Sequence, residues 1–313
     1  MCTCIMLKNK TTLFGRNMDN YFSFNEQIII VPKNYNITFK NETNIESHYA
    51  IIGMGTIIDN YPLLADGANE KGLAIAALSF KDNAIYYKKE KDKINLAPYE
   101  MMLYLLATCK NIKEVKSVLK RINIINEPFK KDVLLTDLHF MISDLSESIV
   151  LETTCEGMKI YDNPVNVLTN NPIFPYHLEN LKNYMHLNVN DSFNFLYPSI
   201  ELKPNSFGQG SFGIPGDYSS SSRFIKAVFV KENLLLSNDI NDTINQFFKC
   251  LDSVSMVKGV VNTIYGFEYT RYTCCIDLNS LNYYYKTYEN SEVNIINLFN
   301  EDLNSKKLIA YKI

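Results

Sequence analysis

The opening residues MCTCIMLKNKTTLFGRNMD, positions 1–19, hold two short apolar runs, 3–7 and 12–15, joined through Lys8-Asn9-Lys10. That pattern predicts a β-hairpin. Cys2 then begins the first strand. Arg16-Asn17-Met18-Asp19 follows the second and returns close to where the first began. If Met1 is removed, Cys2 carries a thiol and a free α-amine, with reference pKa values of about 8.5 and roughly 7.7–8.0. Such an amine is a known base for its own side chain. Beside it, Arg16 would favour a thiolate and lower the amine's pKa, and Asp19 could hold the amine by a hydrogen bond. Taken alone, Cys2 reads as an incidental small residue, and Arg16 with Asp19 as a surface ion pair of little energetic weight.

The rest of the chain limits what the hairpin can serve. Its 313 residues, 46% hydrophobic and 21% charged, are enough for a sizeable core and argue against disorder. A net charge of −3 gives no basic footprint for nucleic acid. No apolar stretch approaches the ~20 residues of a membrane span. Lys8 and Lys10 interrupt the N-terminus, which has no apolar signal-type core. The expectation is a cytoplasmic protein. Seven cysteines (2, 4, 109, 155, 250, 274, 275) lack a disulfide framework, and four scattered histidines (48, 139, 177, 186) supply no ligand pairs. No metal and no cofactor is expected.

Further strands are predicted at 27–31, 49–58 and 72–80, then helices at 98–108 and 112–122. Strands follow at 138–144, 148–154, 158–162 and 166–169. Helices at 175–186, 222–236 and 240–256 precede final strands at 271–277 and 281–288. In the last helix Ile244, Phe247, Phe248, Leu251 and Val254 form one stripe, read as a core face. This order is not βαβ alternation. It fits one α+β domain, 1–313, of two mainly antiparallel sheets with helices packed outside them.

Two later segments carry polar groups. Leu168-Thr169-Asn170-Asn171-Pro172 ends a strand, and its carboxamides suit an oxyanion hole or an ordinary Asn-Pro turn. Ile214-Pro215-Gly216-Asp217 leads through Ser219–Ser222 to Arg223 in a first helical turn. Arg223 can bring positive charge to the site or pair with a surface carboxylate. Gly208-Gln209-Gly210-Ser211-Phe212-Gly213 matches G-x-G-x-x-G, but no βαβ unit surrounds it, and a dinucleotide is rejected. No G-x-S-x-G elbow is present.

With these residues in place, the chain resembles the choloylglycine hydrolase family of N-terminal nucleophile hydrolases, which includes bile salt hydrolases and penicillin V acylases. The resemblance rests on Met1-Cys2-Thr3, Phe14-Gly15-Arg16-Asn17-Met18-Asp19, Gly53-Met54-Gly55-Thr56, Ala65-Asp66-Gly67, Asn69-Glu70-Lys71-Gly72-Leu73, Met141-Ile142-Ser143-Asp144, Leu168-Thr169-Asn170, Pro215-Gly216-Asp217, Ser222-Arg223-Phe224 and Tyr285-Lys286-Thr287-Tyr288. They occur in family order along essentially the whole chain. The resemblance implies an αββα four-layer sandwich and a homotetramer.

It also implies Cys2 as nucleophile with Arg16, Asp19, Asn170 and Arg223 as partners, and an acyl pocket of Met18, Ile58, Ala65, Val133 and Leu138. At the sixth family position bile salt hydrolases usually carry Asn and penicillin V acylases Tyr; here it is Ser79, whose backbone N–H could still serve the oxyanion. The implied reaction is hydrolysis of a linear amide, foremost a glycine- or taurine-conjugated bile salt. Penicillin V cleavage, acyl transfer to a free amine, and a catalytically silent binding protein are the alternatives.

Overall fold

The computed structural model describes residues 1–130, 136–191, 197–202 and 206–313. Its first hairpin is longer than the apolar runs. Strand β1 spans Cys2–Lys8 and β2 spans Thr12–Asn20, with Cys2 opposite Met18 and Cys4 opposite Arg16. Residues 16–19 therefore lie inside the second strand, where the sequence reading placed them after it. Their polarity hid the strand. Asn17 is fully buried, yet its carboxamide donates to the Leu251 carbonyl and accepts from the Thr273 hydroxyl, both at 2.8 Å. A satisfied polar group can occupy such a position without an orphaned donor or acceptor.

The chain continues through β3 (Gln27–Val31), β4 (Ile51–Ile58), β5 (Tyr61–Asn69), β6 (Ala74–Ser79) and β7 (Ile94–Leu96). Helices α1 (Met101–Thr108) and α2 (Ile112–Leu119) follow, then β8 (Ile122–Ile124), β9 (Leu138–Ser143), β10 (Ser148–Thr154), β11 (Gly157–Asp162) and β12 (Val167–Leu168). Next come α3 (Phe174–Leu181), α4 (Ser220–Glu232) and α5 (Ile240–Asp252). The end is β13 (Val261–Thr263), β14 (Gly266–Asp277), β15 (Asn282–Thr287), β16 (Asn294–Asn297) and β17 (Ile309–Lys312).

One sheet runs β12-β1-β2-β14-β15-β16, with β13 on β14; the other runs β11-β10-β9-β6-β5-β4-β3-β17. Every pairing within them is antiparallel. A small parallel pair, β7 with β8, stands apart. Helix α1 lies on β5 and β6, while α4 and α5 lie on β1, β2 and β14. The layers are thus helix, sheet, sheet, helix: the expected αββα sandwich.

Alternation along the second sheet explains why its strands read as continuous apolar runs. Ile28, Ile30, Ala74, Ala76, Leu78 and Val150 face the first sheet, whereas Ile29, Val31, Ile75, Ala77 and Leu151 face α1 and α2. Both faces are dry, so no polar period-2 signal survives. Each such fully buried aliphatic side chain contributes roughly 1.5–3 kcal/mol of transfer free energy. Gly15 sets how closely β2 and β14 approach, because a Cβ there would sit 2.0 Å from the Cys274 carbonyl oxygen.

Several boundaries differ from expectation. The helix predicted at 112–122 stops at Leu119, and Ile122 instead pairs in β8 with Ile94. Residues 98–100 form a 3₁₀ turn before α1, and α5 ends at Asp252, short of 256. Strand β5 was not foreseen, since Pro62 and Asp66 interrupt its apolar pattern; Asp66 is buried by side-chain partners described below. Strands β16 and β17, also unforeseen, are short, β16 mostly half-buried and β17 largely exposed.

Candidate active site

Strand β1 is second from the edge of its sheet, beside the two-residue β12, and packs against β6, whose pairing with β5 runs out at Asp66–Ala76. Beyond that point β6 stays paired with β9, but its β5-side edge offers main-chain groups that no strand takes, and side chains take them. Arg16 Nη1 donates to the carbonyls of Ala65 at 3.0 Å and Ala77 at 2.5 Å. Its Nη2 donates to the Cys2 thiol, which also lies 3.9 Å from Met18 Sδ. Cys2 is 4% exposed and Arg16 is wholly buried. Burial works against the guanidinium's charge, but Cys2, Tyr272, Asp66 and Cys4 outweigh it and raise the Arg16 pKa.

Asn170 lies two residues beyond β12 and joins three elements. Its Oδ1 accepts from Cys2 N and from Arg223 Nη2, both at 2.8 Å. Its Nδ2 donates to the Ser79 carbonyl at 2.8 Å, so the carboxamide expected to face an oxyanion is tied to β6 and keeps one N–H. Within a strand a residue's N–H points to the same side as its C=O. Hence the Ser79 N–H lies on the side where Asn170 arrives. Two buried histidines hold this strand end: His139 Nε2 lies 3.0 Å from the Thr169 carbonyl and His177 Nε2 2.9 Å from that of Asn170. Carbonyls only accept, so each Nε2 carries the hydrogen.

Helix α4 begins where Ser219 caps it, its hydroxyl accepting from Ser222 N. Ser220 accepts from Asn170 N at 2.8 Å, and Arg223 donates to the Cys2 carbonyl at 2.6 Å and Thr3 Oγ1 at 2.7 Å. Burial lowers the Arg223 pKa, opposed by Asp19, Cys2 and Asp217. Asp19 accepts from Thr270 through Oδ1 at 2.6 Å, while its buried Oδ2 has no hydrogen-bond partner among the described residues and lies 3.9 Å from Arg223 Nη1. The Met1 amine bonds the Asp19 carbonyl at 2.9 Å and pairs with Glu268. Burial, above all, lowers that amine's pKa.

The structure thus gathers Cys2, Arg16, Asp19, Asn170, Arg223 and the Ser79 main chain around one point. Of the apolar candidates, Met18 touches the thiol, Ala65 bonds Arg16, and Leu138 pairs with Ser79 in the β6–β9 ladder. Ile58 sits at the tip of the β4–β5 hairpin, half-buried. Val133 lies outside the described residues. Sequence reasoning passed over His139, His177, Ser220, Thr270 and Glu268, since their partners come from distant segments. Only the serine run before Arg223 offered a local signal. Among the described residues, no group of three His, Cys, Asp or Glu side chains could hold a metal, and no helix is long and apolar enough to cross a membrane.

Residues 2–311 match the family described as linear amide C-N hydrolases, choloylglycine hydrolase family. The chain is 42% identical over 312 residues to a bile salt hydrolase/transferase of Lactiplantibacillus plantarum, covering 99% of this chain and 96% of that protein. A crystal structure of a mutant conjugated bile acid hydrolase from Clostridium perfringens superposes with a TM-score of 0.94 at 39% identity, covering 100% of this chain and 97% of that one. A penicillin V acylase from Agrobacterium tumefaciens shares the fold, with a TM-score of 0.77 at 20% identity over 100% of this chain and 91% of that one.

Proposed function

Because the chain belongs to the choloylglycine hydrolase family of linear amide C-N hydrolases, we propose that it cleaves glycine- or taurine-conjugated bile salts with Cys2 as nucleophile. The observation that carries this is the doubly held Cys2: Arg16 Nη2 on its sulfur and Asn170 Oδ1 on its nitrogen. With Met1 removed, that nitrogen is a free α-amine, hydrogen-bonded by Asn170, whose Oδ1 also accepts from Arg223, and Arg223 in turn lies 3.9 Å from Asp19 Oδ2.

The amine takes the thiol proton, and the sulfur adds to the amide carbonyl. The Ser79 N–H and the remaining Asn170 N–H face the oxyanion. Collapse passes the proton from the amine to the leaving glycine or taurine nitrogen and leaves a thioester. Water then adds, the thioester C–S bond breaks, and the acid is released with the thiol restored. Met18, Ala65 and Leu138 begin the acyl pocket, with Ile58 and Val133 as its further members. The molecule works in the cytoplasm as a homotetramer, with no metal or cofactor.

A second reading, acyl transfer, follows from the same thioester, which an amine can capture in place of water; the L. plantarum relative's name includes both activities. Penicillin V cleavage ranks below both, since that relative shares the fold at only 20% identity. A silent binding protein does not explain an arginine on the Cys2 thiol with Asn170 and Arg223 on its main chain. The test is kcat/KM for glycocholate, taurocholate and penicillin V. A conjugate should lead penicillin V by at least about tenfold, some 1.4 kcal/mol of transition-state binding. Penicillin V turnover without measurable conjugate hydrolysis would overturn the assignment.

A further inference from the structure

Close to Arg16 lies a buried carboxylate that the reaction as written does not use. Asp66, on β5, is fully buried. Its Oδ2 accepts from the Tyr272 hydroxyl at 2.6 Å, and its Oδ1 accepts from the Tyr283 hydroxyl at 2.5 Å and the Cys274 thiol at 3.5 Å. Tyr272 and Cys274 belong to β14 and Tyr283 to β15, so the carboxylate crosses the space between the sheets to reach them. Cys274 is the direct cross-strand neighbour of Arg16, and Arg16 itself bonds the carbonyl of Ala65, the residue before Asp66.

Three donors converging on one carboxyl favour its ionised form, and a dry interior tolerates such a charge only beside a counter-charge. Arg16 is the cation that faces it. Burial is the strongest influence and leaves the Asp66 pKa raised, opposed by Arg16 and the three donors, so the carboxylate depends on them for its charge. We propose that Asp66 is a positioning residue for Cys2, acting through Arg16, which bonds both the thiol sulfur and the carbonyl of Ala65, the residue before Asp66. The proposal rests on Cys2 being the nucleophile.

Two consequences follow. With its counter-charge fixed close by, the guanidinium is held with Nη1 on Ala65 and Ala77, leaving Nη2 for the sulfur. The negative charge of Asp66 also offsets part of the positive charge that Arg16 brings to the sulfur. The groups facing Arg16 are Cys2 and Cys4 on β1, Asp66 on β5, and Tyr272 and Cys274 on β14, while Tyr283 on β15 faces Asp66. Those facing Cys2 are Arg16 and Asp19 on β2, Arg223 on α4, and Glu268 on β14 by way of the N-terminus. Removing the Asp66 charge leaves Arg16 and Arg223 less opposed.

The test compares wild-type protein with Asp66→Asn and Tyr272→Phe, each with its folded fraction measured. Cys2 alkylation by iodoacetamide is followed by mass against pH, beside kcat and KM. In Asp66→Asn the alkylation profile should move to lower pH by about half a unit or more, and kcat should fall at least about tenfold with KM changed less than about threefold. Tyr272→Phe keeps the ring and withdraws one donor, so it should show smaller changes in the same directions. A folded Asp66→Asn with wild-type profile and kcat overturns the proposal. If Asp66→Asn does not fold, Tyr272→Phe decides, and wild-type behaviour there overturns it equally. Wild-type protein alkylated at Cys2 yet fully active would instead overturn the nucleophile assignment, and is read separately.

Discussion

At the scale of single residues, the site depends on what occupies the two ends of Cys2. A retained Met1 converts the Cys2 nitrogen to an amide, and the Met1 amine itself is held by Asp19 and Glu268. The active species should therefore lack Met1, as intact mass will show; full activity in Met1-bearing protein would contradict the amine's role as base. Cys2→Ser should fold normally and lose nearly all turnover, because a hydroxyl ionises far less readily than a thiol. The other cysteines lack the arginine contact, and burial pushes the Cys4, Cys109, Cys250, Cys274 and Cys275 thiols up. Ser79 is used through its main chain: its carbonyl takes Asn170 Nδ2, while its Oγ has no hydrogen-bond partner among the described residues. Ser79→Ala should thus keep conjugate kcat/KM within about threefold, and Ser79→Asn should preserve or raise it. A tenfold loss in Ser79→Ala would mean that the hydroxyl contacts substrate.

At the scale of elements, the strand end at Thr169–Asn170 is kept in place by histidines packed from β9 and α3. His177 stacks on Phe224, one residue from Arg223, with ring centroids 4.7 Å apart. Burial, chiefly, lowers its pKa from 6.5 to about 4. A histidine that is neutral when folded and protonated when unfolded costs nothing above pH 6.5. Its penalty grows as the pH falls from about 6.5 to 4, reaching on the order of 3 kcal/mol. The wild-type Tm should drop across that window, and in His177→Gln the drop should be smaller. Identical Tm profiles would show that His177 is protonated in both states or in neither. The same strand end contains little apolar sequence, only Val167 and Leu168 in β12, so its precision comes from hydrogen bonds supplied by other elements.

At the scale of the whole molecule, the two sheets place a polar line in the middle of an apolar core. Arg16 and Asp66 lie between layers of Ile, Leu and Ala, and Arg223 reaches Cys2 from the helical layer beyond the first sheet. Opposed sheets can do this because each offers backbone carbonyls or side-chain hydroxyls to the other where its own ladder ends. Substrate choice belongs to this scale too. Met18, Ala65 and Leu138, proposed above as acyl-pocket residues, come from β2, β5 and β9 of both sheets, and the conjugate-against-penicillin comparison tests that proposal.

From the sequence alone came the hairpin with Cys2 at its start, the α+β class, most strand and helix positions, and Asn170 and Arg223 as polar residues beside segment ends. Those features are local: apolar period, turn residues and caps act within a few positions of the chain. What only the tertiary structure decided is what each polar group does. Nothing near residue 16 indicates that its guanidinium will meet carbonyls from β5 and β6. Nor does anything near residue 66 indicate that two tyrosines far along the chain will surround its carboxylate. Strand β5 escaped prediction for that reason, since a buried aspartate reads as a loop residue until its distant partners are known. A buried charge is tolerable only through such long-range partners, and they exist only once the sheets have packed.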